Sequence, residues 1–115
     1  MLTVLDEGAV PVARLEGEID AANVDDVGDG LRALMTNRSY ALVVDLSPTT
    51  YIDSAGLNLL FGLAEDLRGR QQELHLVVAG QSPIARMVSL TGLDHAVPTH
   101  PTVTAAVARA TESGG

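Results

Sequence analysis

Ser54 is the residue of this chain best placed to take part in chemistry. It stands between Asp53 and the small residues Ala55 and Gly56, where a polar stretch passes into an apolar helical pattern. The unpaired amide groups and the dipole of a helix N-terminus favour an anion at such a place, and small neighbours leave the hydroxyl accessible. Three roles are therefore open: Asp53 or Ser54 caps the helix, Ser54 attacks a substrate, or Ser54 accepts a phosphoryl group.

Nucleophilic attack is the weakest of these roles, because it needs a base beside the serine. His75, His95 and His100 all come later in the chain, two of them beside turns, and the glycine pattern of a hydrolase elbow is missing. The spacing of the histidines also fits no metal-ligand pattern. The sequence therefore predicts no metal site and no cofactor. On residue types alone, capping is the simplest role and phosphorylation is the functional alternative.

The elements that must position Ser54 alternate between strand and helix patterns. The residue pattern predicts a hairpin of strands at 2–5 and 9–15, a helix over 23–35, a strand over 40–44 and a polar loop over 47–50. It then predicts a helix over 57–67, a strand over 74–78, a helix that begins with Ser82 and Pro83, a short edge strand at 96–97 and a last helix over 103–110. This alternation predicts an α/β fold, with a mixed and mostly parallel central β-sheet of about four to five strands flanked by about four helices.

Composition bounds the class of protein. The chain has 115 residues, of which 46% are hydrophobic and 3% aromatic, so a single core of aliphatic side chains is expected. It has no cysteine, no basic N-terminal segment and no apolar run of the roughly 20 residues that span a membrane. We therefore expect one cytoplasmic domain over residues 1–111, followed by a disordered C-terminal tail over residues 112–115.

The negative charge is concentrated near the N-terminus. The net charge is −8, and the first thirty residues hold eight acids against the single base Arg14. Such a surface repels phosphate backbones and anionic lipids, so neither nucleic acid nor a membrane is an expected partner. A basic protein surface suits it better. The plain alternative is that the acids only keep a small protein soluble.

Three segments, in their order and spacing, resemble the STAS-domain family and, within it, the bacterial anti-sigma factor antagonists. Residues 15–20, LEGEID, are similar to the family's strand that ends in Gly-Glu-hydrophobic-Asp. Residues 44–46, VDL, and 52–57, IDSAGL, are similar to its signature Asp-Ser-small-Gly-Leu loop. Residues 82–93 are similar to its third helix and the exit from it. The resemblance runs from residue 2 to about residue 110 and implies the STAS fold.

The resemblance also implies a mechanism in which the chain is not itself an enzyme. The unphosphorylated antagonist binds an anti-sigma factor serine kinase and thereby releases a sigma factor. The kinase phosphorylates Ser54, which ejects the antagonist, and a serine phosphatase of the metal-dependent class restores it. The partner-binding residues that the resemblance implies, beside the phosphorylation site, are Glu18, Asp20, Asp53, Ala55, Gly56 and Leu57.

The sequence leaves some alternatives open. By residue type alone, Asp20 is a turn-forming or helix-capping acid, whereas the resemblance favours a place on the recognition surface. Many relatives have a second hydroxyl after the acceptor serine; Ala55 stands there in this chain, which leaves Ser54 as the sole candidate in the loop. The rival functions are a non-phosphorylated STAS accessory subunit of a transporter or lipid-transport complex, and a small hydrolase that uses Ser54.

Overall fold

A computed structural model describes residues 1–5, 10–36 and 39–114 of the chain, and these form seven strands and five helices. The strands are β1 (Leu2–Leu5), β2 (Val12–Leu15), β3 (Gly17–Ile19), β4 (Ala41–Asp45), β5 (Thr49–Ile52), β6 (Glu73–Val77) and β7 (Thr99–His100). The helices are α1 (Val24–Ala33), α2 (Ser54–Gly69), α3 (Pro83–Leu90), α4 (Leu93–Ala96) and α5 (Val103–Gly114). None of these helices combines the length and the apolar composition that crossing a membrane requires.

The central sheet has five strands in the order β1-β2-β4-β6-β7. β1 and β2 pair antiparallel, whereas the other three neighbouring pairs are parallel. The predicted α/β fold with a mixed, mostly parallel sheet is therefore confirmed, and so is the pairing of the first two strands. The turn predicted at residues 6–8 lies outside the described residues.

Helices cover the two faces of this sheet unequally. β4 is buried along its whole length, as its continuous apolar run predicts. Leu42 and Val44 of β4 belong to the main core, to which α1, α2, α3 and α4 all contribute side chains. Ala41 and Val43 belong to a smaller core on the opposite face, which α5 covers. Because α2 lies on the first face, Ser54 and α5 are on opposite sides of the sheet.

The prediction of a polar loop over residues 47–50 was wrong at its second half. Thr49–Ile52 forms β5, which pairs in parallel with β3 as a separate two-stranded sheet. The Thr49 hydroxyl also donates a hydrogen bond of 2.6 Å to the carbonyl of Leu15. β5 was not predicted because Ser47 and Pro48 indicate a turn, although the four residues after them have good strand propensity. Their partner strand also lies some thirty residues away in sequence.

The edge strand predicted at residues 96–97 was also wrong. Ala96 closes the one-turn helix α4, and the amide of Val97 donates to the carbonyl of Leu93 at 2.9 Å, so it is not available to a sheet. The edge strand lies beyond Pro98, at β7, where the Pro98 carbonyl accepts a hydrogen bond of 2.9 Å from Leu76. Proline has no amide hydrogen, which places it at a strand boundary.

Two helix ends differ from expectation, and one helix start agrees with it. α1 ends at Ala33, two residues before the predicted end, and α5 continues to Gly114, over three of the four residues expected as a tail. Helix α3 begins as predicted, because the Ser82 hydroxyl accepts a hydrogen bond of 3.1 Å from the amide of Ala85.

Candidate functional site

Ser54 is the first residue of α2, and its side chain is exposed. The residue before it, Asp53, has an extended backbone and is the N-cap: its Oδ1 accepts a hydrogen bond of 3.0 Å from the amide of Gly56. The structure thereby assigns capping to Asp53. Among the described residues, no hydrogen-bond partner is found for the Ser54 hydroxyl, which is therefore open to a reaction partner.

Asp53 also ties the start of α2 to the turn that follows β3. Its Oδ2 accepts a hydrogen bond of 3.1 Å from the amide of Ala21, and its own amide donates to the carbonyl of Ile19 at 3.2 Å. The amide of Gly56 lowers the pKa of the Asp53 carboxyl, that of Ala21 lowers it further, and desolvation opposes both. The carboxylate is thus charged at neutral pH, directly beside the Ser54 hydroxyl.

Asp20 forms the turn to which Asp53 is tied. Its Oδ1 accepts a hydrogen bond of 3.0 Å from the amide of Ala22, and its amide donates to Oδ1 of Asn23 at 3.0 Å. The Asn23 side chain in turn donates to the carbonyl of Glu18 at 2.8 Å. Asp20 is therefore a turn-forming acid and does not cap α1, whose N-cap is Asn23. Through Asp53, this turn lies next to Ser54.

Gly56 lets the first turn of α2 approach the small sheet closely. A Cβ atom at this position would lie 2.7 Å from Cγ2 of Ile52 and 2.9 Å from the carbonyl oxygen of Ile19. Both distances are shorter than real carbon contacts allow, so only glycine fits without movement of the backbone. Gly56 is buried, and the partly buried Leu57 packs against the main core, while Ala55 is partly exposed.

Tyr51 is a candidate functional residue that sequence reasoning missed. Its side chain is 49% exposed, and in the pairing of β3 with β5 it lies opposite the exposed Glu18. Exposed aromatic side chains are enriched where protein partners bind most strongly. Recognising β5 as a strand, with an outward-facing position before the buried Ile52, is the signal that could have found it.

Asp45 holds the loop that leads into β5. It is 2% exposed, pairs with Nε of Arg14 at 3.1 Å, and accepts a hydrogen bond of 3.0 Å from the amide of Ser47. A buried carboxylate is tolerated because it is paired and hydrogen-bonded in this way. Asp45 thus fixes the exit from β4, two elements before Ser54.

The histidines lie away from Ser54. His75 and His100 contact each other at 3.0 Å on the sheet, and His95 lies 3.9 Å from Asp94 in α4. In the described part of the chain, no histidine is within hydrogen-bonding distance of the Ser54 hydroxyl. Within those same residues no group of three or more histidine or acidic side chains is arranged to hold a metal ion.

We expect Asp53→Ala to lower the unfolding temperature more than Asp53→Asn, because asparagine keeps an oxygen that can accept the Gly56 hydrogen bond. The lowered pKa of Asp53 adds a pH dependence: its contribution to stability is complete above the unfolded-state pKa and is lost as the pH falls through the lower folded-state value. Thermal unfolding followed by circular dichroism at neutral and acidic pH measures both effects. Identical unfolding temperatures of Asp53→Ala and the unchanged protein would contradict the structural role of Asp53.

Comparison with known proteins agrees with the resemblance that the three sequence segments indicated. The STAS domain family matches residues 3–106. An anti-sigma-B factor antagonist of Listeria monocytogenes is 37% identical over 78 residues, which cover 67% of either chain. The anti-sigma-F factor antagonist RsfB of Mycobacterium tuberculosis is 31% identical over 93 residues, 81% of this chain and 75% of the relative. A crystal structure of an anti-sigma factor antagonist from Mycobacterium paratuberculosis superposes with a TM-score of 0.85 at 30% identity, covering 96% of this chain and 93% of that one. Because the family matches residues 3–106 of its 115 residues, the chain belongs to the STAS-domain family.

Proposed function

We propose that this protein is an anti-sigma factor antagonist, whose unphosphorylated form binds an anti-sigma factor serine kinase and thereby releases a sigma factor. The names of its relatives support the class of protein. The observation that carries the proposal is the state of Ser54: the serine is exposed at the first position of α2, and Asp53 performs the capping that would otherwise occupy the serine hydroxyl.

Phosphorylation of Ser54 changes the charge of the binding surface. The kinase transfers the γ-phosphoryl group of ATP: the Ser54 Oγ–phosphorus bond forms, the bond to the β-phosphate oxygen breaks, ADP leaves and the hydroxyl proton is released. The product carries about −1.5 to −2 charge at neutral pH. Asp53 already occupies the amide of Gly56 with its own carboxylate, so the first turn of α2 does not fully absorb the new anion. The phosphate therefore adds charge and bulk on the face that the partner contacts.

The partner-binding residues that the resemblance implies differ in their exposure. Glu18 is exposed and Asp20 is partly exposed, beside Ser54, whereas Gly56 is buried. We therefore propose that Glu18, Asp20 and Ala55 contact the partner, that Tyr51 joins them, and that the remaining residues of the loop hold these groups in place. A serine phosphatase of the metal-dependent class would complete the cycle by hydrolysing the phosphoserine.

The function is tested with the anti-sigma factor of the same host. The two purified proteins are mixed, their complex is measured by titration calorimetry, and Mg-ATP is then added while intact-mass and peptide mass spectrometry follow the phosphate. We expect a complex before ATP is added, and a single phosphate on Ser54 together with loss of the complex afterwards. A STAS accessory subunit that is not phosphorylated would form no such complex, and Ser54 would stay unmodified.

A second prediction concerns the acidic residues in and around the turn between β3 and α1. If Glu18, Asp20, Asp25 and Asp26 face a basic partner, they accelerate association more than they slow dissociation. We expect the association rate to fall about tenfold or more between low and physiological salt.

Charge-removal variants locate that effect. Replacing Asp25 and Asp26 together by asparagine removes two of these four acids and should weaken the salt dependence by about half. The matched control replaces Glu65 and Glu112 by glutamine, since it removes the same charge from exposed positions on α2 and α5 away from the turn. Glu65 lies eleven residues after Ser54 on α2, about 16 Å of helix rise. An association rate that is indifferent to salt would assign the acidic residues to solubility alone.

A further inference from the structure

The face of the sheet under α5 contains a buried histidine that the proposed binding site does not use. His75 lies on β6, a strand flanked on both sides in the sheet, and is 1% exposed. Its Nδ1 is 3.0 Å from Nε2 of His100 on β7, and its Nε2 is 3.1 Å from Oε1 of Glu73. The two imidazole rings stack with their centroids 5.2 Å apart and their planes 23° from parallel.

These contacts limit how many protons the pair can hold. The Glu73 carboxylate can only accept, so Nε2 of His75 carries a hydrogen and its Nδ1 is the acceptor for the Nε2 hydrogen of His100. This arrangement is satisfied when both rings are neutral, and also when His100 takes up one proton at its Nδ1. With a second proton on Nδ1 of His75, that N–H group would face the N–H group at Nε2 of His100, and neither nitrogen could accept a hydrogen bond. The two stacked rings would also both be cations and would repel each other. The contact then has to break.

Few other charges face the pair to offset a second proton. From α5, Arg109 is the charged group that acts on His100, and it is itself a cation. On the neighbouring strand β4, the residue opposite His75 is the apolar Val43. Further along β4 the buried Asp45 is already paired with Arg14. Glu73 is therefore the one carboxylate in contact with the pair among the described residues, and its side chain is 48% exposed.

The element that His100 belongs to is short and lies at the edge of the sheet. β7 has two residues and pairs with β6 alone. Its backbone pairing with β6 includes a hydrogen bond of 2.9 Å from the amide of Leu76 to the carbonyl of Pro98 and one of 3.0 Å from the amide of Val78 to the carbonyl of His100. Short elements at a sheet edge can open locally at less than the cost of global unfolding. The side-chain contact between the histidines therefore adds to what holds β7 in place.

We propose that the His75–His100 pair is a proton-sensitive contact that keeps β7 and the start of α5 on the sheet and releases them when both rings become charged. Burial lowers the pKa of His100, and the neighbouring His75 and Arg109 lower it further. A histidine with a lowered pKa stabilises the fold fully above its unfolded-state pKa, and this contribution is lost as the pH falls from there through the lower folded-state value. Because the contact still holds with one proton on His100, the release is expected on further acidification, when a second proton enters the pair, and on the face opposite Ser54.

Hydrogen exchange measured by NMR on the full chain tests this proposal. The amides of Leu76 and Val78 report their hydrogen bonds to the carbonyls of Pro98 and His100, and amides in the centre of β4 report global opening. After correction for the intrinsic exchange rate, we expect protection of Leu76 and Val78 to fall about tenfold or more from about pH 8 to about pH 5, while the protection of β4 amides changes less.

Two variants assign the effect to the pair. His100→Gln keeps a side-chain donor for Nδ1 of His75 but cannot be charged, so its β7 protection should not depend on pH in this way. His95→Gln is the control, because His95 is exposed and lies outside the pair; it should behave as the unchanged protein. An equal loss of protection in all three proteins, or none in the unchanged protein, would overturn the proposal.

Nitrogen-15 shifts of the histidine rings test it without any variant. In the unchanged protein, we expect His75 and His100 together to take up one proton before β7 opens. Full and independent protonation of both rings with β7 still protected would refute the proposal, even if His100→Gln did not fold.

Discussion

Ser54→Asp is expected to weaken binding to the anti-sigma factor about a hundredfold, which corresponds to about 2.7 kcal/mol. The substitution places a permanent carboxylate at the exposed first position of α2, beside the charged Asp53. The fold should tolerate it, because an acid in the first turn of a helix interacts favourably with the helix dipole. The loss therefore arises at the interface, where a like charge or an unmatched anion costs several kcal/mol.

Two variants separate charge at the interface from charge in general. Ser54→Ala removes the acceptor hydroxyl without adding charge, so it should bind as the unchanged protein does and take up no phosphate. Thr104→Asp adds the same charge to an exposed position in the first turn of α5, on the opposite face of the sheet, and should leave binding unchanged. Phosphate on another loop residue in Ser54→Ala, or an equal loss of binding in Thr104→Asp, would contradict the assignment of Ser54.

The parts of the fold that could be predicted are those whose signals lie within one element. The apolar run of β4, the Ser82 cap of α3 and the stripe of leucines on α2 each report a local periodicity or a local hydrogen bond. β5 and β7 could not be predicted in this way. β5 exists because β3 lies beside it, and β7 begins where it does because the amide of Val97 is committed to closing α4.

The residues of the candidate site also differ in whether a local signal identifies them. Ser54 and Asp53 were identifiable because a cap, a small-residue turn and a family resemblance all coincide in a few residues. For Asp20, the hydrogen bond that its Oδ1 accepts from the amide of Ala22 identifies a turn-forming acid, while its place on the recognition surface stays a prediction. Tyr51 was missed because its exposure depends on the pairing of two strands that are distant in sequence. The residues around Ser54 could thus be identified from the sequence, whereas the exposed residues that the strand pairing places beside them could be identified only from the tertiary structure.

Gly56→Ala is expected to destabilise the protein by about 1–3 kcal/mol, although alanine is the better helix former by roughly 1 kcal/mol. The added methyl group would lie 2.7 Å from Cγ2 of Ile52 and 2.9 Å from the carbonyl oxygen of Ile19. The Ile52 side chain can shift, but the Ile19 carbonyl belongs to the backbone of β3 and accepts the hydrogen bond from the amide of Asp53. Relieving the clash therefore moves the start of α2 and weakens that bond.

The same helix supplies a control for the glycine effect. At Gly62, no heavy atom outside its chain neighbours and the backbone of its own helix lies within 4 Å of the position that a Cβ would occupy, so Gly62→Ala gains helix propensity without a clash and should raise the unfolding temperature. Thermal unfolding should thus show a fall of roughly 5–15 °C for Gly56→Ala and a rise of a few degrees for Gly62→Ala. Because the displaced turn carries Ser54, Gly56→Ala should also be phosphorylated more slowly by the anti-sigma factor, whereas Gly62→Ala should not. Equal unfolding temperatures for the two variants would show that α2 does not depend on this close approach to β3 and that glycine is not required two residues after the serine.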